Sequence, residues 1–140
     1  MRIKPIVVSV SGWWLVVEYM KSVKDLSVYQ RGFALAVDVY RVTTCFPQME
    51  QFGLVSQMRR AAVSICSNLA EGAARGTTKE YLRFVYVAKG SAAELDTQID
   101  LASVLGFMKK DQADKLRNDI AEVLRMLSGL IHSLTTNTNH

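Results

Sequence analysis

Apolar residues recur three or four positions apart along most of this chain, the spacing of helices that each turn one face to a core. The first predicted helix runs from about Leu26 to Cys45 and carries two apolar faces. Leu26, Tyr29, Phe33, Val37 and Tyr40 share one, and Leu35, Val39 and Val42 share another, a pattern that asks for more than one neighbour. Pro47 interrupts it, because the residue before a proline, here Phe46, is pushed towards extended geometry. The second helix runs from about Met49 to Glu71 on a seam of Leu54, Met58, Ala61, Ile65 and Leu69, with Gly72 read as its C-terminal cap. Thr77 and Glu80 fit a capping box for the third, whose seam is Tyr81, Phe84, Ala88, Ala92, Leu95, Ile99 and Ala102, and which ends at Gly106. The fourth begins near Lys110 or Asp111 and continues to about Leu134 on Leu116, Ile120, Val123, Leu127, Ile131 and Leu134. The polar tail from Thr135 to His140 frays.

Short links make successive helices antiparallel neighbours. The predicted fold is all-α, an up-down-up-down antiparallel four-helix bundle. No strand-alternating segment competes with it after Met20, and no internal repeat is visible.

Between Phe46 and Arg75 a polar stripe accompanies the apolar one. Gln57, Arg60, Ser64, Asn68 and Glu71 are three or four residues apart and share a helix face. Ser91, Glu94 and Gln98 make a matching set on the third helix. A bundle brings the two sets together as a buried polar layer, with Arg60 expected to pair with Glu94 and with Gly90 allowing close approach. Unpaired burial of such groups costs a few kcal/mol each, so pairing is expected. Layers of this kind fix register rather than add stability.

Residues 1–19, MRIKPIVVSVSGWWLVVEY, stand apart. They are too short to span a membrane, and no small-residue cleavage site follows them. Met20 reads as the natural start, which makes 1–19 an N-terminal extension and 20–140 the bundle domain. Within the extension, its Val and Trp content favours a strand or a segment packed on a neighbour.

With 140 residues, 49% of them hydrophobic and 21% charged, the chain is long enough for one domain with a real core. Cys45 and Cys66 sit in apolar settings and read as reduced, buried thiols. The two histidines, His132 and His140, have no ligand spacing, so no metal and no cofactor is expected.

The net charge of +4 is mild but uneven. Arg59, Arg60, Arg75, Lys79, Arg83 and Lys89 face only Glu71 and Glu80 in the middle of the chain. The stretch from Gly90 to Glu122 is acidic instead, with Glu94, Asp96, Asp100, Asp111, Asp114, Asp119 and Glu122 against Lys109, Lys110, Lys115 and Arg117. Arg75, Lys79 and Arg83 are four apart and form a strip running from the turn between helices two and three. That strip, with Arg59 and Lys89, is the candidate phosphate-binding set. A solvated helix face is the competing reading.

Nothing here builds an enzyme. Ser64 and Ser67 have no histidine nearby in sequence. Glu94, Asp96 and Asp100 lack the Glu-x-x-His pattern of carboxylate-bridged metals in bundles. Gly72 to Gly76 lacks the Gly-Lys-Ser/Thr ending of a phosphate loop. No catalytic residue and no small-molecule substrate are assigned.

Longer motifs carry a resemblance. Phe46-Pro47, Glu50, Phe52-Gly53-Leu54, Gln57-Met58-Arg59-Arg60-Ala61-Ala62-Val63-Ser64-Ile65 and Ser67-Asn68-Leu69-Ala70-Glu71-Gly72 are followed by Arg75. Later come Glu80, Arg83-Phe84, Ala88-Lys89-Gly90-Ser91, Glu94-Leu95 and Gln98. From about Leu26 to Leu134 the chain resembles the bacterial 23S rRNA-intervening sequence proteins. Cys66 departs from that pattern, standing where such proteins often have proline, and residues 1–19 have no counterpart in it. The resemblance implies a cytoplasmic protein, a left-handed four-helix bundle and assembly as a pentameric ring. It also implies one of two roles. A basic ring could bind RNA, or the bundle could serve as a protein-interaction scaffold or accessory subunit, as a similar bundle does for the reverse transcriptase of diversity-generating retroelements.

Overall fold

The computed structural model describes residues 26–138. The extension at 1–19 and His140 lie outside the described residues. Among those described, four α-helices form: α1, Ser27–Thr43; α2, Leu54–Ala73; α3, Thr78–Val104; and α4, Lys110–Thr138. A short 3-10 turn, Gln48–Glu50, follows Pro47 and begins the passage from α1 to α2.

The links follow from local chemistry. Glu50 folds back so that its Oε2 accepts the Leu54 amide at 3.1 Å, satisfying a donor at the open start of α2. Thr77 caps α3, its hydroxyl accepting the Glu80 amide at 3.2 Å, as the capping-box spacing requires. Gly106 ends α3 with φ of +77°, while the Phe107 amide reaches back to the Ala102 carbonyl at 3.0 Å, a left-handed C-terminal stop.

Each helix packs on two others: α1 on α2 and α4, α3 on α2 and α4, with opposite helices out of contact. Cross-helix contacts fix the directions. Tyr29 and Thr43 of α1 meet Cys66 and Arg59 of α2, and Ser64 and Gly72 of α2 meet Ser91 and Phe84 of α3. Asp100 of α3 meets Arg117 of α4 across a short link, and Ser27 and Asp38 of α1 lie beside Met126 and Lys115 of α4. All four seams therefore run antiparallel, and the bundle goes up, down, up, down. The seam residues of α2 and α3 expected from their spacing are buried, as are Leu116, Ile120, Val123, Leu127 and Ile131 of α4.

Three expectations need correction. Gly72 does not cap α2 but lies buried inside it. A Cβ there would fall 2.5 Å from the Phe84 Cβ, so the glycine exists to let α2 and α3 touch. Gly90, by contrast, is exposed, and a Cβ there would meet nothing within 4 Å. Cys66 is buried but Cys45 is exposed, because Cys45 falls in the turn just beyond the end of α1.

The two faces of α1 have different fates. Leu35 and Val39 enter the core. On the other face Phe33 remains 57% exposed and Tyr40 45% exposed. Arg59 lies over one side of the Tyr40 ring and Tyr29 stands beside Phe33, but both rings keep an open face.

Candidate nucleic-acid interface

The turn between α2 and α3 sits at the pole of the bundle where α1 begins and α4 ends. Arg75 leaves the end of α2, and Lys79 and Arg83 rise on the first two turns of α3. All three are exposed. Between the two arginines lies the ring of Phe84. The Arg75 guanidinium is 5.0 Å from the ring centroid and the Arg83 guanidinium 4.8 Å, so a single aromatic side chain orients both cations.

Each arginine also has a carboxylate close by. Arg75 Nη2 donates to Glu71 Oε1 at 2.9 Å, and Arg83 Nε donates to Glu80 Oε2 at 3.2 Å. A guanidinium has five N–H donors, so one bond each leaves most of the fork available. Lys79 forms no ion pair among the described residues. The pole thus holds three bases against two acids.

The other two candidates lie elsewhere. Lys89 is half-buried midway along α3. Arg59 is near the opposite pole, where it ties α2 to the end of α1. Its Nε donates to Thr43 Oγ1 at 3.0 Å, Nη2 donates to the Tyr40 carbonyl at 3.3 Å, and the guanidinium stacks on the Tyr40 ring at 4.6 Å.

The polar layer between α2 and α3 is narrower than the sequence stripe. Ser64 and Ser91 share a hydrogen bond of 2.8 Å, and Asn68 Nδ2 donates to both the Ser64 hydroxyl and the Ser64 carbonyl at 2.8 Å. Gln98 is buried and donates to Glu94 Oε1 at 3.2 Å, while its own Oε1 is buried without a partner among the described residues. Gln57, Arg60, Glu71 and Glu94 are exposed instead. The expected Arg60–Glu94 pair does not form among the described residues, because Glu94 is held by Gln98 on its own helix and Glu71 by Arg75.

Four acids of the second charged stretch are paired, Asp100 across helices and Asp114, Asp119 and Glu122 within α4. Lys115 bridges Asp38 and Asp119 at 2.8 and 2.9 Å, which raises its pKa. Arg117 bridges Asp100 and Asp114 at 2.8 and 3.4 Å. Glu122 is held below the usual carboxylate range by its hydrogen bond to Arg125. His132 is exposed, and among the described residues no group of three His, Cys, Asp or Glu side chains could hold a metal ion. No described helix is long and apolar enough to cross a membrane.

Sequence reasoning missed Phe84 as part of the pole, since its spacing placed it on the core seam. Its place next to Arg83 was visible in the sequence, but its approach to Gly72 and Arg75 is a cross-helix contact that spacing does not show.

Comparison with known proteins follows the same lines. A solved structure from Bacteroides thetaiotaomicron VPI-5482, described as a protein with unknown function from the S23 ribosomal protein family, superposes with a TM-score of 0.67 at 20% identity. The match covers 74% of this chain and 97% of that one, and shows a shared fold. No curated protein matches. The family model of 23S rRNA-intervening sequence proteins matches residues 24–129, which takes in α1 to α3 and most of α4. On that match the chain belongs to the 23S rRNA-intervening sequence protein family.

Proposed function

We propose that this protein is a non-enzymatic, cytoplasmic RNA-binding bundle that works as a homo-oligomer, a pentameric ring by resemblance to its family. The observation that carries the reading is the pole where Phe84 aligns Arg75 and Arg83 beside Lys79. Planar cations held on an aromatic ring are preorganised for phosphate. One copy of the pole is weakly basic, and a ring would repeat it in every subunit. The family name and the ribosomal family of the solved relative both point to rRNA as the first ligand to try. Support for self-association comes from α3, which leaves Tyr86, Val87, Leu101 and Val104 exposed, with Leu105 just beyond its end.

The test is a mobility shift with rRNA-derived fragments across a salt series. Binding is expected to weaken by about 0.7–0.9 log units per decade of salt for each phosphate neutralised. Arg75→Glu, Lys79→Glu and Arg83→Glu together should abolish the shift while helicity is retained. A wild-type protein that shifts no fragment even at low salt would sink the proposal, and a monomer mass by light scattering would sink its oligomeric part.

A second reading, a protein-interaction scaffold or accessory subunit, draws on the uncovered face of α1. Partners recovered from the host that persist after nuclease treatment would favour it.

A further inference from the structure

An apolar groove of about 530 Å³ runs between α1 and α2. Tyr29, Phe33, Val37 and Tyr40 line one wall, and Val63 and Cys66 line the other. It is a built feature rather than scattered apolar exposure. Gly32 brings α1 down onto Ile65 and Cys66, where a Cβ would sit 3.2 and 3.1 Å from their side chains, and so sets the depth of the floor. Arg59 braces Tyr40 at one end. Four large or branched side chains of α1 are thereby aimed along a channel that no described residue fills.

We propose that this groove is the docking site of the chain's own Trp13–Val17 segment, the run Trp-Trp-Leu-Val-Val. Three arguments select this occupant. The first is reach. Eight residues, 18–25, separate Val17 from Leu26, and such a connection spans up to about 29 Å. The whole of α1, at 17 residues, is only about 25 Å long, so every part of the groove is within the tether. The second is length. From Tyr29 to Tyr40 the helix rises about 17 Å, and five extended residues, about 13 Å from first Cα to last, fit within it. The third is chemistry. The segment is wholly apolar, as the groove walls are, and the exposed Arg41 guanidinium near the mouth offers a cation to an indole face. Because the segment is tethered, docking costs no bimolecular association.

The segment holds both tryptophans of the chain, Trp13 and Trp14, so tryptophan emission, excited to the red of tyrosine absorption, reports on it alone. The experiment uses the full chain and reads emission maximum, acrylamide quenching and far-ultraviolet circular dichroism. Docking predicts blue-shifted, poorly quenched emission that does not change on dilution. Val63→Asp, at a half-open position on the groove wall, should shift emission to the red and raise quenching several-fold at unchanged helicity. Phe33→Asp should do the same and serves as the second variant if the first perturbs folding. Asn118→Asp, exposed on α4 away from the groove, should leave emission as it was. Emission already solvent-like in the unmodified chain overturns the proposal. So does a spectrum indifferent to both groove variants, or a blue shift lost on dilution, which would assign the groove to a second molecule.

Discussion

The hydroxyls of Ser64 on α2 and Ser91 on α3 lie 2.8 Å apart, and the Asn68 amide donates to the same Ser64 oxygen. Three small polar groups thus close on one another where two apolar seams meet. Ser64 is the hub, since it touches both of the others. Ser64→Ala takes the hydroxyl partner from Ser91 and leaves Asn68 only the Ser64 carbonyl, and is expected to cost about 1–3 kcal/mol. Ser91→Ala should cost less, and the double variant less than the sum, because the two share one bond. Urea unfolding of the four proteins in the cycle measures this. Strict additivity would show that the layer is not coupled.

The two helical glycines facing different surroundings make opposite predictions. Gly72→Ala must displace Phe84, whose Cβ would lie 2.5 Å from the new methyl, and overpacking of this kind costs about 1–3 kcal/mol. Gly90→Ala meets open space on an exposed helical position and should stabilise by about 0.5–1 kcal/mol. Thermal melts of both variants would give shifts of opposite sign. Because Phe84 orients Arg75 and Arg83, Gly72→Ala should also weaken any RNA shift, whereas Gly90→Ala in an isolated subunit should not.

Arg59, half-buried on α2, and Arg83, exposed on α3, should separate cleanly in function. Arg59→Ala removes its bond to Thr43, its bond to the Tyr40 carbonyl and its stacking on the Tyr40 ring, and is expected to lower stability by about 1 kcal/mol or more. RNA affinity should stay within a factor of about two once the protein is folded, since the residue lies at the other pole. Arg83→Ala should show the reverse pattern. Equal losses of affinity in both variants would mean that RNA contacts extend along the whole bundle.

Cys66 donates to the Tyr29 carbonyl at 3.3 Å, and burial pushes its thiol up to about 11 from an ordinary 9.0. A group with a raised folded-state pKa keeps its full contribution to stability below the unfolded value and loses it as pH climbs through the folded one. Stability should therefore decline between about pH 9 and 11, and Cys66→Ala should remove that part of the decline. The difference between the two pH profiles isolates it from the other groups titrating there. At mildly alkaline pH a thiol reagent should label the exposed Cys45 quickly and Cys66 slowly.

The bundle was legible because its seams are regular. Leu54, Met58, Ala61, Ile65 and Leu69 repeat at the helical period, and that period alone decides which side of α2 is buried. What periodicity cannot convey is whether an apolar face has a partner. Tyr29, Phe33, Val37 and Tyr40 read like a seam and are one, but the structure leaves them at a groove. Gly72 was misread for a related reason. A glycine near a helix end satisfies a local rule for caps, and only the approach of α3 shows why it stands there. The polar stripe split for a third reason. Arg60 and Glu94 have long side chains that can reach solvent, whereas Ser64, Asn68 and Ser91 are short and must find partners where they stand. At the basic pole the four-residue spacing of Arg75, Lys79 and Arg83 was visible, while the role of Phe84 depended on a cross-helix contact.

The unequal seating of the helices has a consequence for how the molecule comes apart. Five residues of α1 are buried, Val28, Gly32, Leu35, Val39 and Thr43, against ten in α2. Its remaining hold is a few directed ties, among them Arg59 to Thr43 and Lys115 to Asp38. Amide exchange should accordingly divide the chain into two cooperative units. The α1 amides would exchange through an opening that leaves α2, α3 and α4 folded, at a free energy well below that of global unfolding. The basic pole, built on α2 and α3, would survive that excursion intact.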